Sequence, residues 1–118
     1  MIYKILAREE WAAALAAGRY DGSAADLRDG FVHLSCVEQV TETAERHFAG
    51  QSGLLLLAVA EERLGAALRW EPSRGGALFP HVYGPLPLDA VVAAAPMPDV
   101  VPPAEAAAAA LAALPATP

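Results

Sequence analysis

Asp29-Gly30-Phe31-Val32-His33-Leu34-Ser35 is the stretch that decides how this chain is read, because an apolar run there carries a histidine and a serine two residues apart. Strand side chains alternate between faces, so His33 and Ser35 are expected to point one way and Val32 and Leu34 the other. A polar pair on one face of an apolar strand is a candidate pocket lining. The Asp-Gly step delivers the chain into this strand, and residues 19–30 before it, rich in Asp, Gly and Ser, read as a loop long enough to act as a lid.

Moving outward toward the N-terminus, Arg8 to Ala17 reads as a helix. Trp11 and Leu15 lie four apart on one face, Glu9 and Glu10 suit the positive end of the helix dipole, and Gly18 sits at the C-terminal cap position. Ile2 to Leu6 ahead of it reads as a short strand. In the other direction, Ser35-Cys36-Val37-Glu38 fits a capping box, with Ser35 capping the next helix and Glu38 reaching back to its amide. Ser35 therefore carries two readings, pocket lining and helix cap. That helix is expected to run to about Ala49, with Val37, Val40, Ala44 and Phe48 as its apolar stripe and Glu42 paired with Arg46 on the surface. His47 reads as a helix-surface residue.

Leu54 to Ala60 is apolar without alternation, which fits a central strand covered on both faces. After a turn near Glu61 to Gly65, residues 67–71 place Leu68 and Trp70 on one face and Arg69 and Glu71 on the other. Pro72-Ser73-Arg74-Gly75-Gly76 breaks that strand, Phe79 to Pro85 resumes extended structure, and Leu88 to Ala95 is the last strand. Strand, helix, strand, helix and then several strands argue an α+β domain with a mixed or antiparallel sheet.

A chain of 118 residues suits a single domain. Of its 28 alanines, nine follow Pro103, so residues 98–118 are expected to be a Pro/Ala-rich appendage to a globule over residues 1–97. The net charge of −6 opposes binding along a nucleic-acid backbone, but leaves room for a single nucleotide or small anion. Cys36 is the one cysteine and pairs with nothing internally; a buried, inert thiol and a reducing cytoplasmic setting are expected. No run is long enough to span a bilayer. The three histidines at 33, 47 and 81 lack metal-ligand spacing, so no metal is expected unless folding joins His33 to His81.

Chemistry concentrates at His33 with Ser35, and along Trp70 to Tyr83. The Pro-Ser-Arg-Gly-Gly turn sets the Gly75 and Gly76 amides beside the Arg74 guanidinium, a combination suited to phosphate or carboxylate. A tight connection with a solvated Arg74 is the plainer alternative. Glu71 is a candidate base or the salt partner of Arg74, and His81 a candidate ligand or proton carrier.

The pattern Tyr3-Lys4-Ile5, Trp11, Asp29 to Ser35, Leu68-x-Trp70-Glu71, Arg74-Gly75-Gly76 and Phe79 to Leu86 resembles the bacterial DUF952 family of small uncharacterised proteins, over roughly residues 1–97. His33-Leu34-Ser35, in its order of elements, is also similar to the catalytic domain of RNA 2′-phosphotransferases in the ADP-ribosyltransferase-like superfamily. Tyr3-Lys4 stands where those enzymes carry a Tyr-His pair. The resemblance implies a cleft in a split β-sheet with two main helices, binding NAD or an ADP-ribosylated intermediate. In that reading His33, a catalytic residue, and Ser35 hold a ribose or pyrophosphate, and Tyr3 and Lys4 also bind the ligand. Arg74, Gly75 and Gly76 take a negative group, and Glu71, the preferred base, or His81 handles a proton. The other class is a binding module, in which the same cleft holds a nucleotide or small anion without turnover and Trp70 and Tyr83 act as walls. The sequence leaves oligomeric state open.

Overall fold

The non-alternating run at Leu54 forms the centre of the molecule, as expected. The computed structural model describes residues 1–99 and 102–114, and of Arg74 the backbone alone. In it β3 (Leu54–Val59) lies between β1 (Ile2–Ala7) and β6 (Val91–Pro96), antiparallel to both. A second antiparallel sheet has β5 (Leu78–Val82) between β2 (Val32–His33) and β4 (Leu68–Pro72). The architecture is α+β with two three-stranded antiparallel sheets. The mixed alternative does not occur, since every described pairing is antiparallel.

Among the described residues one backbone bridge links the two sheets. Tyr3 and Ser35 exchange backbone hydrogen bonds of 2.8 and 2.9 Å, so the chain leaving β2 steps off β5 and onto β1. Two cores follow from the strand period of two. Ile2 and Leu6 of β1, with Leu57 and Val59 of β3, meet Val32 and Val82 of the second sheet and Ala14 and Trp11 of α1 (Arg8–Ala17). Ile5, Leu54 and Leu56, on the opposite face, meet Val40 and Ala44 of α3 (Val40–His47) and Ala106, Ala107 and Ala110 of α4 (Pro103–Ala113).

Several local expectations are corrected. Leu15 is exposed rather than part of the α1 stripe, and Ala14 is buried in its place. Residues 19–30 are not all loop, because α2 (Ala24–Asp29) forms within them on a capping box of Ser23 and Asp26. The box expected at Ser35 sits one residue later. Cys36 is the N-cap, and its amide donates to Gln39 Oε1 at 3.0 Å. A short 3₁₀ turn from Val37 to Gln39 then leads into α3, which ends at His47, and Val37 is exposed. The pair of Glu42 and Arg46 forms as expected, at 2.9 Å.

The described part of the C-terminal segment forms α4, which docks on the globule. Its alanines let α4 lie close against α3 and the first sheet, with Ala107 and Ala110 fully buried. High helix propensity and the small size of alanine achieve what large side chains were expected to be needed for. Gly53 N–H also donates to Asp99 Oδ1 at 3.2 Å. Among the described residues no helix is long and apolar enough to cross a membrane.

Candidate functional site

Hydrogen bonding along β5 explains why two histidines meet. Leu34 N–H donates to the Pro80 carbonyl at 3.1 Å, which makes Leu34 and Pro80 a hydrogen-bonded pair, so the next pair, His33 and His81, is of the non-bonded kind that brings side chains closer. Their rings lie 5.6 Å apart, edge to face. Phe31, two residues before His33, stacks on His81 at 4.1 Å and approaches Tyr83 at 5.3 Å. Arg69 and Glu71 of β4 fall on the same face, with the Arg69 guanidinium 5.0 Å over the Tyr83 ring.

Each imidazole is gripped by carboxylate. His33 Nδ1 lies 2.6 Å from Asp26 Oδ1, and His33 Nε2 lies 3.0 Å from Asp29 Oδ2. A neutral imidazole has one N–H, so only the doubly protonated ring donates to both. His81 is buried, with Nδ1 2.8 Å from Glu71 Oε1, the same oxygen that accepts the Tyr83 hydroxyl at 2.8 Å. Among the described residues no group bonds His81 Nε2, and none of their buried side-chain nitrogens lacks a partner, so Nε2 reaches solvent. Hydrogen bonds from His81 and then Tyr83 hold the Glu71 carboxyl below the ordinary glutamate range, while the bond to Glu71 pushes the Tyr83 hydroxyl up.

Behind His33 is a buried ion pair. Lys4 Nζ lies 2.9 Å from Asp26 Oδ2 and also donates to the His33 carbonyl at 3.0 Å. Asp26 accepts further bonds from the amides of Ser23 at 2.9 Å and His33 at 3.1 Å. Burial pushes the Asp26 carboxyl up, but the His33 bond, the Lys4 charge and the Ser23 amide outweigh it and hold the group well below the carboxylate range. Gly22 permits this fold of the chain: a Cβ there would stand 2.6 Å from the Asp26 Cβ, at a φ of +121°.

Of the residues singled out in the sequence, His33, His81, Glu71 and Tyr83 come together. Lys4 adjoins them, its charge spent on Asp26. Ser35 parts from His33 and turns its hydroxyl to Thr43 at 3.0 Å. Tyr3 packs into the core under α3 and α4. Trp70 lies on the other face of β4 from Glu71, at the sheet edge. Gly75 and Gly76 form the tip of the β4–β5 hairpin, where Gly76 N–H already donates to the Ser73 carbonyl at 2.7 Å, which weakens the turn as an anion cradle. The Arg74 side chain lies outside the described residues. Burial pushes the Cys36 thiol up, in keeping with an inert group.

Asp26, Asp29, Phe31 and Arg69 escaped the sequence reading. Ser23-x-x-Asp26 carried a signal as a capping box, and Arg69 shared the alternation that placed Glu71. Among the described residues no group of three His, Cys, Asp or Glu side chains is arranged to hold a metal ion. A cavity of about 200 Å³ lies elsewhere, between Phe48, Leu54, Met97 and Ala106, and none of these site residues lines it.

The crystal structure of protein CC0527 from Caulobacter crescentus is similar to this chain at 55% identity and a TM-score of 0.83, covering 86% of this chain and 90% of that one. The solution NMR structure of CC0527 is similar at 55% identity and a TM-score of 0.76, covering 86% and 88%. No curated protein matches. The family model for the protein of unknown function DUF952 matches residues 5–94, and with it the chain is placed: it belongs to the DUF952 family.

Proposed function

We propose that the face built from Phe31, His33, His81, Tyr83, Arg69 and Glu71 binds a nucleotide-like ligand, such as NAD, ADP-ribose or a nucleotide phosphate, and that His81 moves a proton in a transfer reaction on it. The observation that carries this reading is the His81 side chain. A carboxylate fixes one ring nitrogen, an aromatic ring fixes the plane, and the other nitrogen reaches solvent, which is the arrangement of an oriented general acid–base. Glu71, held ionised, then orients His81 rather than taking the proton itself. Phe31 and Tyr83 offer flat apolar surface to a base or nicotinamide ring, and the exposed Arg69 offers charge to a phosphate. The two sheets bridged at Tyr3 and Ser35 support a cleft in a split sheet of the ADP-ribosyltransferase-like kind.

One observation favours a binding module without turnover. His33 has both nitrogens engaged by Asp26 and Asp29, so it transfers no proton unless Asp29 swings away. Thermal unfolding with NAD, ADP-ribose and a nucleotide 2′-phosphate tests the shared premise. A ligand at one hundred times its dissociation constant stabilises by about 2.7 kcal/mol, and His81→Gln is expected to keep the shift but lose any product seen by mass spectrometry. Absence of a shift with all three ligands sinks the nucleotide reading, and a shift without product leaves the binding module.

A further inference from the structure

We propose that this chain pairs with a second copy of itself through the outer edge of β4, placing the second copy's Arg69 against Glu71 beside His81. The argument rests on the strand edge and is independent of any particular ligand. In the sheet order β2-β5-β4, β4 has a strand on one side only. Tyr83 N–H donates to the Ala67 carbonyl at 2.9 Å, which makes Ala67 and Tyr83 a hydrogen-bonded pair at the start of the β4–β5 ladder. Bonded and non-bonded pairs alternate in an antiparallel ladder. Arg69 and Glu71 therefore turn their backbone groups inward to β5, and Leu68, Trp70 and Pro72 turn theirs outward. Pro80 agrees with this phase, since it lies opposite Trp70 and gives its carbonyl to Leu34 on the far side.

The outer edge thus has one complete donor–acceptor pair, at Trp70. Leu68 N–H is already given to the Gly65 carbonyl, and Pro72 has no N–H. Trp70 is 42% exposed and Leu78, at a diagonal position on the same face, is 52% exposed, leaving two large apolar residues of this sheet face open.

What selects a second copy is the charge pattern of Leu68-Arg69-Trp70-Glu71-Pro72. Antiparallel pairing about a two-fold axis through Trp70 sets Trp70 against itself and each Arg69 opposite the other chain's Glu71. The Arg69–Glu71 pairs are then of the non-bonded kind, with side chains closest. Shifting the register by two residues, the smallest slip that keeps the outward groups in phase, sets Arg69 against Arg69 or Glu71 against Glu71. Like charges directly opposite one another disfavour both slips. Arg69 and Glu71 share the face of His81 and Tyr83, so the pairing carries a guanidinium from the second copy to the carboxylate that orients His81. Pro72 and the committed Leu68 amide end the ladder after one crossing, which closes a dimer rather than a fibre.

Sedimentation equilibrium from about 10 μM to about 1 mM tests this. The wild type is expected to show a monomer–dimer equilibrium. Arg69→Glu and Glu71→Arg alone each place like charges at both crossings and are expected to weaken dimerisation at least tenfold. Mixed in equal amounts, the two variants place opposite charges at both crossings, and a heterodimer is expected to return. Trp70→Pro deletes the outward N–H and leaves every bond to β5 intact, so it is expected to be monomeric. A wild type that stays monomeric throughout overturns the proposal, as does a dimer unaffected by Arg69→Glu or a failure of the folded variants to re-form it on mixing.

Discussion

Replacing Asp26 by Asn removes one negative charge from a site that is 2% exposed, facing a lysine that is 6% exposed. The side chain keeps its shape. Of the four donors Asp26 now satisfies, Lys4 Nζ, His33 Nδ1 and the Ser23 and His33 amides, the amide group of Asn can accept only at its oxygen. The dominant effect is an ammonium left buried without its counter-ion, and breaking a buried pair by removing one partner costs about 3–5 kcal/mol. A domain of this size has about 5–15 kcal/mol to lose. Equilibrium unfolding in urea should therefore show a large drop in midpoint at unchanged slope. Lys4→Met combined with Asp26→Asn removes the orphaned charge and should recover at least half the loss. The pH dependence follows the same sign. A carboxyl held low in the folded state adds stability above its unfolded pKa of about 3.9 and loses it as pH falls toward the folded value. The advantage of wild type over Asp26→Asn should shrink as pH is lowered below about 4. A loss below about 1 kcal/mol at neutral pH, or a double variant as unstable as Asp26→Asn, would refute the idea that this ion pair anchors the site.

Tyr83→Phe removes one of the two donors on Glu71 Oε1, so the Glu71 carboxyl should titrate nearer its ordinary value, followed by NMR of its side-chain carbon. An unmoved titration would mean the hydroxyl is not the donor that matters. Ala107→Leu, at a fully buried α4 position, should destabilise by about 1–3 kcal/mol in thermal unfolding, whereas Ala109→Leu, two residues on and on the exposed face, should stay within about 0.5 kcal/mol of wild type. Equal effects at the two positions would argue that α4 is not packed as described. Arg46→Ala should change stability by no more than about 0.5 kcal/mol, as for any exposed helix pair; a loss beyond 1 kcal/mol, by the same measure, would reveal a further partner.

Residues that obey short-range rules were legible. Gly18 and the acidic first turn bound α1, the unbroken apolar run made β3 central, and alternation in β4 put Arg69 and Glu71 on one face. The misreadings came where two signals competed. At Ser35 the capping pattern and the strand pattern overlapped, and the backbone chose Cys36 as cap, because Ser35 was taken up by its bridge to Tyr3. In residues 19–30 the Asp, Gly and Ser content concealed a six-residue helix whose ends those same residue types cap. The buried pairing brings Lys4 of β1 to Asp26 and His33, which lie far from it in sequence, and no local pattern encodes that meeting. Alanine misled in a different way. Its small contact area suggested weak docking, yet it permits the close approach of α4 to α3.

Because β2 is a strand of only two residues, its phase is a parity shared by core and site. Val32 is odd-man-in to the core and His33 faces the imidazole of His81. Slipping β2 by one residue against β5 would exchange the two, sending an imidazole into the apolar layer and a valine into the ring cluster. The register of so short a strand is therefore held by what its two faces meet rather than by the length of its ladder.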